Sequence, residues 1–257
     1  MKLAICGAAG RMGQSIIAIV KDDSEVQISG AFEFEGSKAI GTGSPIILPV
    51  TDLEKILKNT DVLIDFTNPE STLKNLSFAV KQKVSVVIGT TGFSKEQKKK
   101  ICEVSKVIPI VFSPNMSVGV NILFKLIEEV AKKNPDYDIE IVELHHNKKK
   151  DSPSGTAAKL AEVAAYSIDK DIKDVVVYGR HSANSARKKN EIGILSVRAG
   201  DIVGDHTVYF VGSGERIELT HRAHSRDTFA VGAIRAAKWV VGKKFGLYDM
   251  FDVLSLK

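Results

Sequence analysis

Residues 2–20 read KLAICGAAGRMGQSIIAIV, and the order of residue types in that stretch decides the fold. Lys2 to Cys6 is a short apolar run of strand character. Gly7, Ala8, Ala9, Gly10, Arg11, Met12 and Gly13 follow as a glycine-rich turn, and Ile16, Ile17, Ile19 and Val20 then mark the apolar side of a helix. Strand, glycine turn, helix is the arrangement in which backbone amides and a helix N-terminus hold a pyrophosphate. The spacing here is GxxGxxG rather than the stricter GxGxxG, so the turn needs support from its surroundings. Glu33 supplies it. It closes a second strand, Val26 to Phe32, about 20 residues past the last glycine, where a dinucleotide fold places the acid that binds a ribose hydroxyl.

The alternation continues outward from this unit. Thr51 and Glu54 are spaced as a capping box, and DVLIDF at 61–66 reads as a buried strand. Asn68-Pro69 starts a helix with proline at its first position. VSVVI at 84–88 is a strand ending in Gly89-Thr90-Thr91-Gly92. Ser94 and Gln97 cap the next helix, whose Lys98, Lys99 and Lys100 form a solvated face. IPIVF at 108–112 is the last clear strand of the series and runs into Ser113-Pro114-Asn115-Met116. Strands separated by helices imply parallel βαβ units, with ligands outside the strands' carboxyl ends. The turns at 7–13, 33–36, 89–92 and 113–116 are therefore expected to line one crevice.

The pattern changes near residue 117. A long helix, SVGVNILFKLIEEVAKK, is followed by β-rich runs at 175–178, 192–197, 206–212 and 215–220, the last two joined through Gly212-Ser213-Gly214 as a hairpin. A mixed or antiparallel sheet with helices on one face is the expected outcome. Residues 180–190, with Arg180, His181, Arg187, Lys188 and Lys189, read as a polar loop whose basic run is solvated. A final helix, Thr228 to Val241, carries Phe229, Val231, Ile234 and Trp239 and is expected to pack back on the first domain. The fold class is thus α/β: a Rossmann-like dinucleotide-binding domain over 1–117, completed by 226–257, and a second α+β domain over 118–225.

Within the second domain, residues 140–159 read EIVELHHNKKKDSPSGTAAK. A strand delivers His145 and His146, which can titrate near neutrality. Lys148, Lys149 and Lys150 add fixed positive charge. Ser154, Gly155 and Thr156 then sit where a helix N-terminus presents backbone N–H groups to a carboxylate or phosphate. An isolated HH or KKK is more often a strand end and a solvated loop. The helix start directly behind them argues instead for a site that takes a small anionic substrate.

The bounds from composition agree with a small-molecule enzyme. The chain has 257 residues, 44% hydrophobic and 26% charged, with a net charge of +5. No window approaches the roughly 20 apolar residues of a membrane span, and the N-terminus enters a strand rather than a signal peptide. Two cysteines, Cys6 and Cys102, have neither metal nor disulfide spacing, which suits a reducing cytoplasm. No metal site is expected, since only Glu143 stands near the histidine pair as a further ligand. An isoelectric point near 9.0 and lysine runs are the whole case for nucleic-acid binding, which is not expected.

GAAGRMG at 7–13, DFTNPE at 65–70, VIGTTGF at 87–93, NMSVGVN at 115–121, ELHHNKKKDSPSGTA at 143–157, VRAGDIVGDHTV at 197–208 and ELTHRAHSRDTFA at 218–230 together resemble the dihydrodipicolinate reductase family over essentially the whole chain. The resemblance implies a reductase of lysine and diaminopimelate biosynthesis using NADH or NADPH. Its reaction is hydride delivery to C4 of a cyclic, conjugated dicarboxylate followed by protonation at C3. It implies His145 as proton donor, assisted by Lys149, with His146, Lys149, Ser154, Gly155 and Thr156 holding the substrate's carboxylates. It implies cofactor binding by Gly7, Ala8, Ala9, Gly10, Arg11, Met12, Glu33, Gly89, Thr90, Thr91, Ser113, Pro114, Asn115 and Met116. It also implies a cytoplasmic homotetramer built through the second domain's sheet.

One departure bears on the cofactor. NADPH-capable members can carry an arginine after the ribose-binding acid, whereas Glu33 is followed by Phe34 here. Arg11 or Lys38 are the available substitutes for that guanidinium, and use of NADH at least as well as NADPH is expected. The alternatives are a reductase of another small imine or keto acid, or a nicotinamide sensor without catalysis. The first need not keep HHxxKxDxPSGT, and loss of His145 or Lys149 would have pointed to the second.

Overall fold

The computed structural model describes residues 1–182 and 184–257. The first strand, β1 (Lys2–Cys6), is buried from Leu3 onward on both faces, a condition met at the centre of a parallel sheet covered by helices. Chain order continues with α1 (Arg11–Val20), β2 (Gln27–Glu33), β3 (Ile47–Pro49), α2 (Leu53–Leu57), β4 (Val62–Asp65), α3 (Pro69–Gln82), β5 (Ser85–Ile88), α4 (Lys95–Val104) and β6 (Pro109–Phe112). The second half supplies α5 (Val118–Lys133), β7 (Asp138–His145), α6 (Gly155–Ser167), α7 (Ile172–Val175), β8 (Val176–Tyr178), β9 (Ile192–Arg198), β10 (Gly204–Val211) and β11 (Arg216–Ala223). The chain ends with α8 (Asp227–Val240), β12 (Gly246–Tyr248) and α9 (Met250–Val253). Two compact units result, one of Met1–Val118 with Arg226–Lys257, the other of Gly119–Ser225.

The first unit is a parallel sheet in the order β12-β6-β5-β4-β1-β2-β3. Alternation along the strands divides its core in two. Leu3, Ile5, Val62 and Ile64 join α1 and α8 on one face, while Ala4, Cys6, Leu63 and Val86 join α2, α3 and α4 on the other. Strand order reverses between β1 and β4, so β2 and β4 flank β1 and a crevice opens beyond its carboxyl end. The Asn68 side chain accepts from Ser71 N ahead of Pro69, and Ser94 with Gln97 forms a full capping box, both as the sequence predicts. α8 packs through small residues (Ala230, Gly232, Ala233, Ala236, Ala237) on its own unit, with Met116 O lying against Gly232. Val231, read as an apolar contact, is instead half exposed.

Two features of this unit depart from the sequence reading. Thr51 and Glu54 make no capping box, because Val50–Asp52 is already a 3-10 turn and a cap needs extended backbone. Glu54 instead meets Lys81 at 3.2 Å. The short strands β3 and β12 extend the sheet at its two edges, where three residues carry too little periodicity to be seen.

The second unit is a mixed five-stranded sheet, β11-β10-β7-β9-β8, with β10 antiparallel to both neighbours and β8, β9 and β7 parallel. α6 packs on β7, β9 and β10. Every second residue of β7 is buried beneath it, Ile139, Ile141, Glu143 and His145. The arginines of the 180–190 loop are not solvated as expected. Arg180 donates to Glu140 at 2.9 and 3.0 Å and to Glu191 at 3.0 Å, and Arg187 pairs with Asp138 and Glu140. Asp138 and Glu140 lie on β7, on the side opposite its buried residues and distant in sequence from the loop, whereas Glu191 directly follows it. Lys188 and Lys189 are exposed, as read.

Candidate active site

The glycine turn is shaped by backbone alone. Gly7 has φ +81°, and a Cβ there would lie 2.5 Å from Phe66 O, so no other residue fits without moving β4. Gly7 N and Ala8 N donate to Phe32 O at 3.0 and 3.1 Å, fixing the turn across β2. Gly10 is the N-cap of α1 and brings no side chain to it, which leaves that helix start suited to an anion. Gly13 lies against Gly7 O and the Ala8 backbone, where a Cβ would push helix from turn. Arg11 is exposed and Met12 packs against the core.

Beyond β1 a cleft of about 460 Å³ opens, lined by Gly7, Gly10, Glu33, Phe34, Thr67 and Lys74, among others. Glu33 Oε1 accepts from Ala9 N at 2.9 Å, so the acid closing β2 is tied to the glycine turn. Two of the cleft's lining residues, Thr67 and Asn75, are held by Asp65, a buried carboxylate. Asp65 accepts from Thr67 N at 3.1 Å and from the hydroxyls of Thr67 at 2.6, Thr72 at 2.9 and Thr90 at 3.2 Å. Asn75 donates to its other oxygen at 2.8 Å. Dinucleotide shape fits this cleft: a side-chain-free helix start for pyrophosphate and an acid beside it for a ribose.

Of the four turns expected in one crevice, those at 7–13 and 33–36 contribute cleft residues, and 66–75 joins them. Gly89, Thr90, Thr91, Ser113, Pro114, Asn115 and Met116 stand at the ends of β5 and β6 and do not line this cleft. Thr90 is buried with its hydroxyl committed to Asp65, Ser113 Oγ donates to Asn115 O at 2.8 Å, and Met116 is buried. These three side chains are held within their own unit.

In the second unit the histidine stretch is organised by Glu143, which the sequence reading considered only as a metal ligand. Its side chain is fully buried. Glu143 Oε2 lies 2.5 Å from His145 Nδ1, Arg198 donates to both its oxygens at 2.9 and 2.7 Å, and Ser154 N donates at 3.1 Å. Burial raises the Glu143 pKa, but the hydrogen bonds from Arg198, Ser196, His145 and Ser154 outweigh it and hold the carboxyl at about 2. An ionised Glu143 accepts a hydrogen bond from Nδ1–H, which leaves Nε2 as the nitrogen of His145 available for proton exchange. Nε2 faces Gly204, where a Cβ would come to 2.9 Å. Burial pushes the His145 pKa below its ordinary value and Lys149 and Arg198 add to that, while Glu143 opposes them.

Ser154 caps α6 by accepting from Ala157 N at 3.1 Å, and its Oγ lies 2.9 Å from His206 Nε2. The hydroxyl expected to hold substrate is therefore already engaged, and Gly155 and Thr156 open the first turn of α6 directly behind it. His206 stacks edge-on to His145 at 5.2 Å, and burial drives its pKa down to about 3. Among the described residues its Nδ1 has no hydrogen-bond partner and is buried. Lys149 is half-buried and donates to both oxygens of Asp151 at 2.8 Å, whereas Lys148 and Lys150 are exposed. His146 belongs to the opposite parity of β7, and its N–H donates to Ile202 O at 2.8 Å. Among the described residues no group of three metal-ligating side chains occurs.

Arg198, His206 and Asp151 are site residues to which the sequence reading assigned no role. The available signal was parity: Glu143 and His145 are two apart on a strand whose other inward positions are Ile139 and Ile141. A carboxylate at a core position requires a cation or several donors.

Family models described as "Dihydrodipicolinate reductase, N-terminus" and "Dihydrodipicolinate reductase, C-terminus" match residues 1–116 and 119–254. The chain belongs to the dihydrodipicolinate reductase family. Curated relatives named 4-hydroxy-tetrahydrodipicolinate reductase include those of Syntrophotalea carbinolica, 52% identical with all of both chains covered, and Trichlorobacter lovleyi, 53% identical with the same coverage. A dipicolinate-bound dihydrodipicolinate reductase from Paenisporosarcina sp. TG-14 shares the fold at TM-score 0.80 and 24% identity, covering 98% of each chain. Family membership and the dinucleotide-binding fold together imply a nicotinamide cofactor. No helix among the described residues is long and apolar enough to cross a membrane.

Proposed function

We propose that the protein reduces 4-hydroxy-tetrahydrodipicolinate to tetrahydrodipicolinate, with His145 as proton donor. The observation that carries this is the Glu143–His145 pair set beside Lys149 and the start of α6, a proton-transfer group within a site for a dianion. A bound reduced nicotinamide supplies the hydride. Gly7, Ala8, Ala9, Gly10, Arg11 and Met12 hold the pyrophosphate and Glu33 a ribose hydroxyl, with Gly89, Thr90, Thr91 and Ser113 to Met116 framing the nicotinamide end.

The chain's own residues do the rest. His146, Lys149, Ser154, Gly155 and Thr156 hold the substrate's carboxylates, Ser154 through its cap on α6 rather than a free hydroxyl. Glu143, clamped by Arg198, fixes the His145 ring so that Nε2 is the atom that delivers a proton to C3. Burial lowers the His145 pKa, and the negative charge of the substrate's carboxylates acts in the opposite direction, favouring the protonated ring that delivers the proton from Nε2.

For the cofactor, two carboxylates, Glu33 and Glu35, line the cleft with one lysine, Lys74, while Arg11 and Lys38 are not among its lining residues. This balance favours NADH at least as well as NADPH. The first unit is the dinucleotide-binding domain and the second the substrate domain. The outer face of its sheet exposes Leu195, Val197 and Val211, which supports assembly of a cytoplasmic homotetramer there. Oxidation of NADH and NADPH, followed with substrate formed in situ from pyruvate and aspartate semialdehyde by a synthase, tests the reading. Turnover with NADH at least equal to that with NADPH is expected. No turnover by folded, cofactor-binding protein rejects the reaction, and a strong NADPH preference rejects the cofactor assignment.

A further inference from the structure

Asp151 stands out because it holds the cation that the substrate needs. Lys149 Nζ donates to both Asp151 oxygens at 2.8 Å. The pair is not a chance meeting of long side chains. Arg198, locked on Glu143, donates a further hydrogen bond at 2.8 Å to the Asp151 carbonyl and so pins the backbone that carries this carboxylate. Arg198 itself is saturated: its two terminal nitrogens also serve Glu143 and Val197 O. Lys149 is thus the half-buried cation of this loop with charge to offer a ligand, and an internal carboxylate already answers it. The Asp151 side chain is 61% exposed, so it can swing into solvent when displaced.

We propose that Asp151 tunes ligand affinity by occupying Lys149 as a built-in competitor, yielding it to a substrate carboxylate and reclaiming it on product release. The inference rests on the reading of this loop as a dicarboxylate site. An ion pair whose carboxylate is exposed is weak, so a ligand held by a second anchor at the α6 start displaces it readily. A weak internal rival lowers affinity for substrate and product alike, which keeps KM high enough for release to remain fast.

The test is calorimetric titration of dipicolinate into the full-length protein with saturating cofactor, at fixed ionic strength and neutral pH. Wild type, Asp151→Asn, Lys149→Ala and the double variant are compared. Asp151→Asn is expected to bind dipicolinate about two- to fivefold more tightly than wild type, and that gain is expected to vanish in the Lys149→Ala background. A tightening is an outcome that loss of structure does not produce. Steady-state rates add a second readout: KM for the dicarboxylate falls in Asp151→Asn with kcat equal or lower. Unchanged or weaker binding by Asp151→Asn overturns the proposal, as does an equal gain without Lys149, which would mean general repulsion. Absence of dipicolinate binding to wild type rejects the dicarboxylate site itself, a separate result.

Discussion

The cofactor cleft and the histidine site are built by opposite means. The cleft is made of backbone: a glycine at φ +81°, a helix start without a side-chain cap, amides tied to Phe32 O, and one carboxylate closing a strand. The histidine site is made of side chains drawn from β7, β9, β10 and the α6 start around one buried carboxylate. Backbone sites tolerate most side-chain changes and fail on shape. Side-chain sites keep their shape and fail on charge and proton position. The two regions should therefore break separately, each under its own kind of substitution.

The largest expected effect is on the histidine side. Glu143→Gln removes the charge that orients His145 and faces Arg198, and turnover should fall about 100-fold or more. Cofactor affinity, followed by fluorescence titration, should stay within about twofold. A matching loss of cofactor affinity would mean that the two sites are not separable. Next comes the mirror experiment. Gly7→Ala forces a Cβ toward Phe66 O in a left-handed conformation, and cofactor affinity should drop about tenfold or more with dipicolinate binding preserved. Equal weakening of both ligands would contradict the comparison.

A smaller effect concerns cofactor choice at the cleft mouth. Phe34→Arg places a guanidinium beside Glu33 and should raise the NADPH-to-NADH ratio of kcat/KM about tenfold, measured under identical conditions. No change would mean that Lys74 or another group already sets the preference. The pH dependence sharpens the histidine side further. His145 has a lowered pKa in the protein itself, and the dianion raises it, so activity lost on deprotonation should fall at higher pH in kcat than in kcat/KM. Coincident limbs would remove the substrate-assisted loading of Nε2.

A separate effect is on stability. His206 is neutral in the fold with a pKa of about 3 against an ordinary 6.5. The unfolded chain therefore binds more protons between these values, and stability is full above about 6.5 and lost as pH falls toward 3. The slope is at most about 1.4 kcal/mol per pH unit. Denaturant unfolding across that window should show a shallower slope in His206→Gln, and an unchanged slope would assign the acid sensitivity elsewhere.

The difference in construction also explains what was legible in the sequence. The cleft was readable because its parts are contiguous: turn, helix start and Glu33 lie within the first strand–helix–strand unit, and each demands a residue type that sequence displays. The contiguous part of the second site, His145 through Thr156, was readable for the same reason. Arg198 and His206 were not, since β9 and β10 bring them to Glu143 only through sheet pairing: register sets His206 opposite Glu143. The committed hydroxyls of Ser154 and Thr90 were hidden likewise, because their partners are His206 and Asp65. The paired arginines of the 180–190 loop repeat the lesson, as a basic run looks solvated until the carboxylates of β7 are placed beside it.

The central claim is that His145, framed by Glu143, is the proton donor of a dicarboxylate reductase. Its most direct test is the rate of reduced-nicotinamide oxidation by His145→Asn on substrate formed in situ, with cofactor and dipicolinate affinities measured on the same preparation. The account predicts a rate at least about 100-fold below wild type, with both ligands bound within a few-fold of wild-type affinity. A variant that binds both ligands and reduces substrate at the wild-type rate would contradict it.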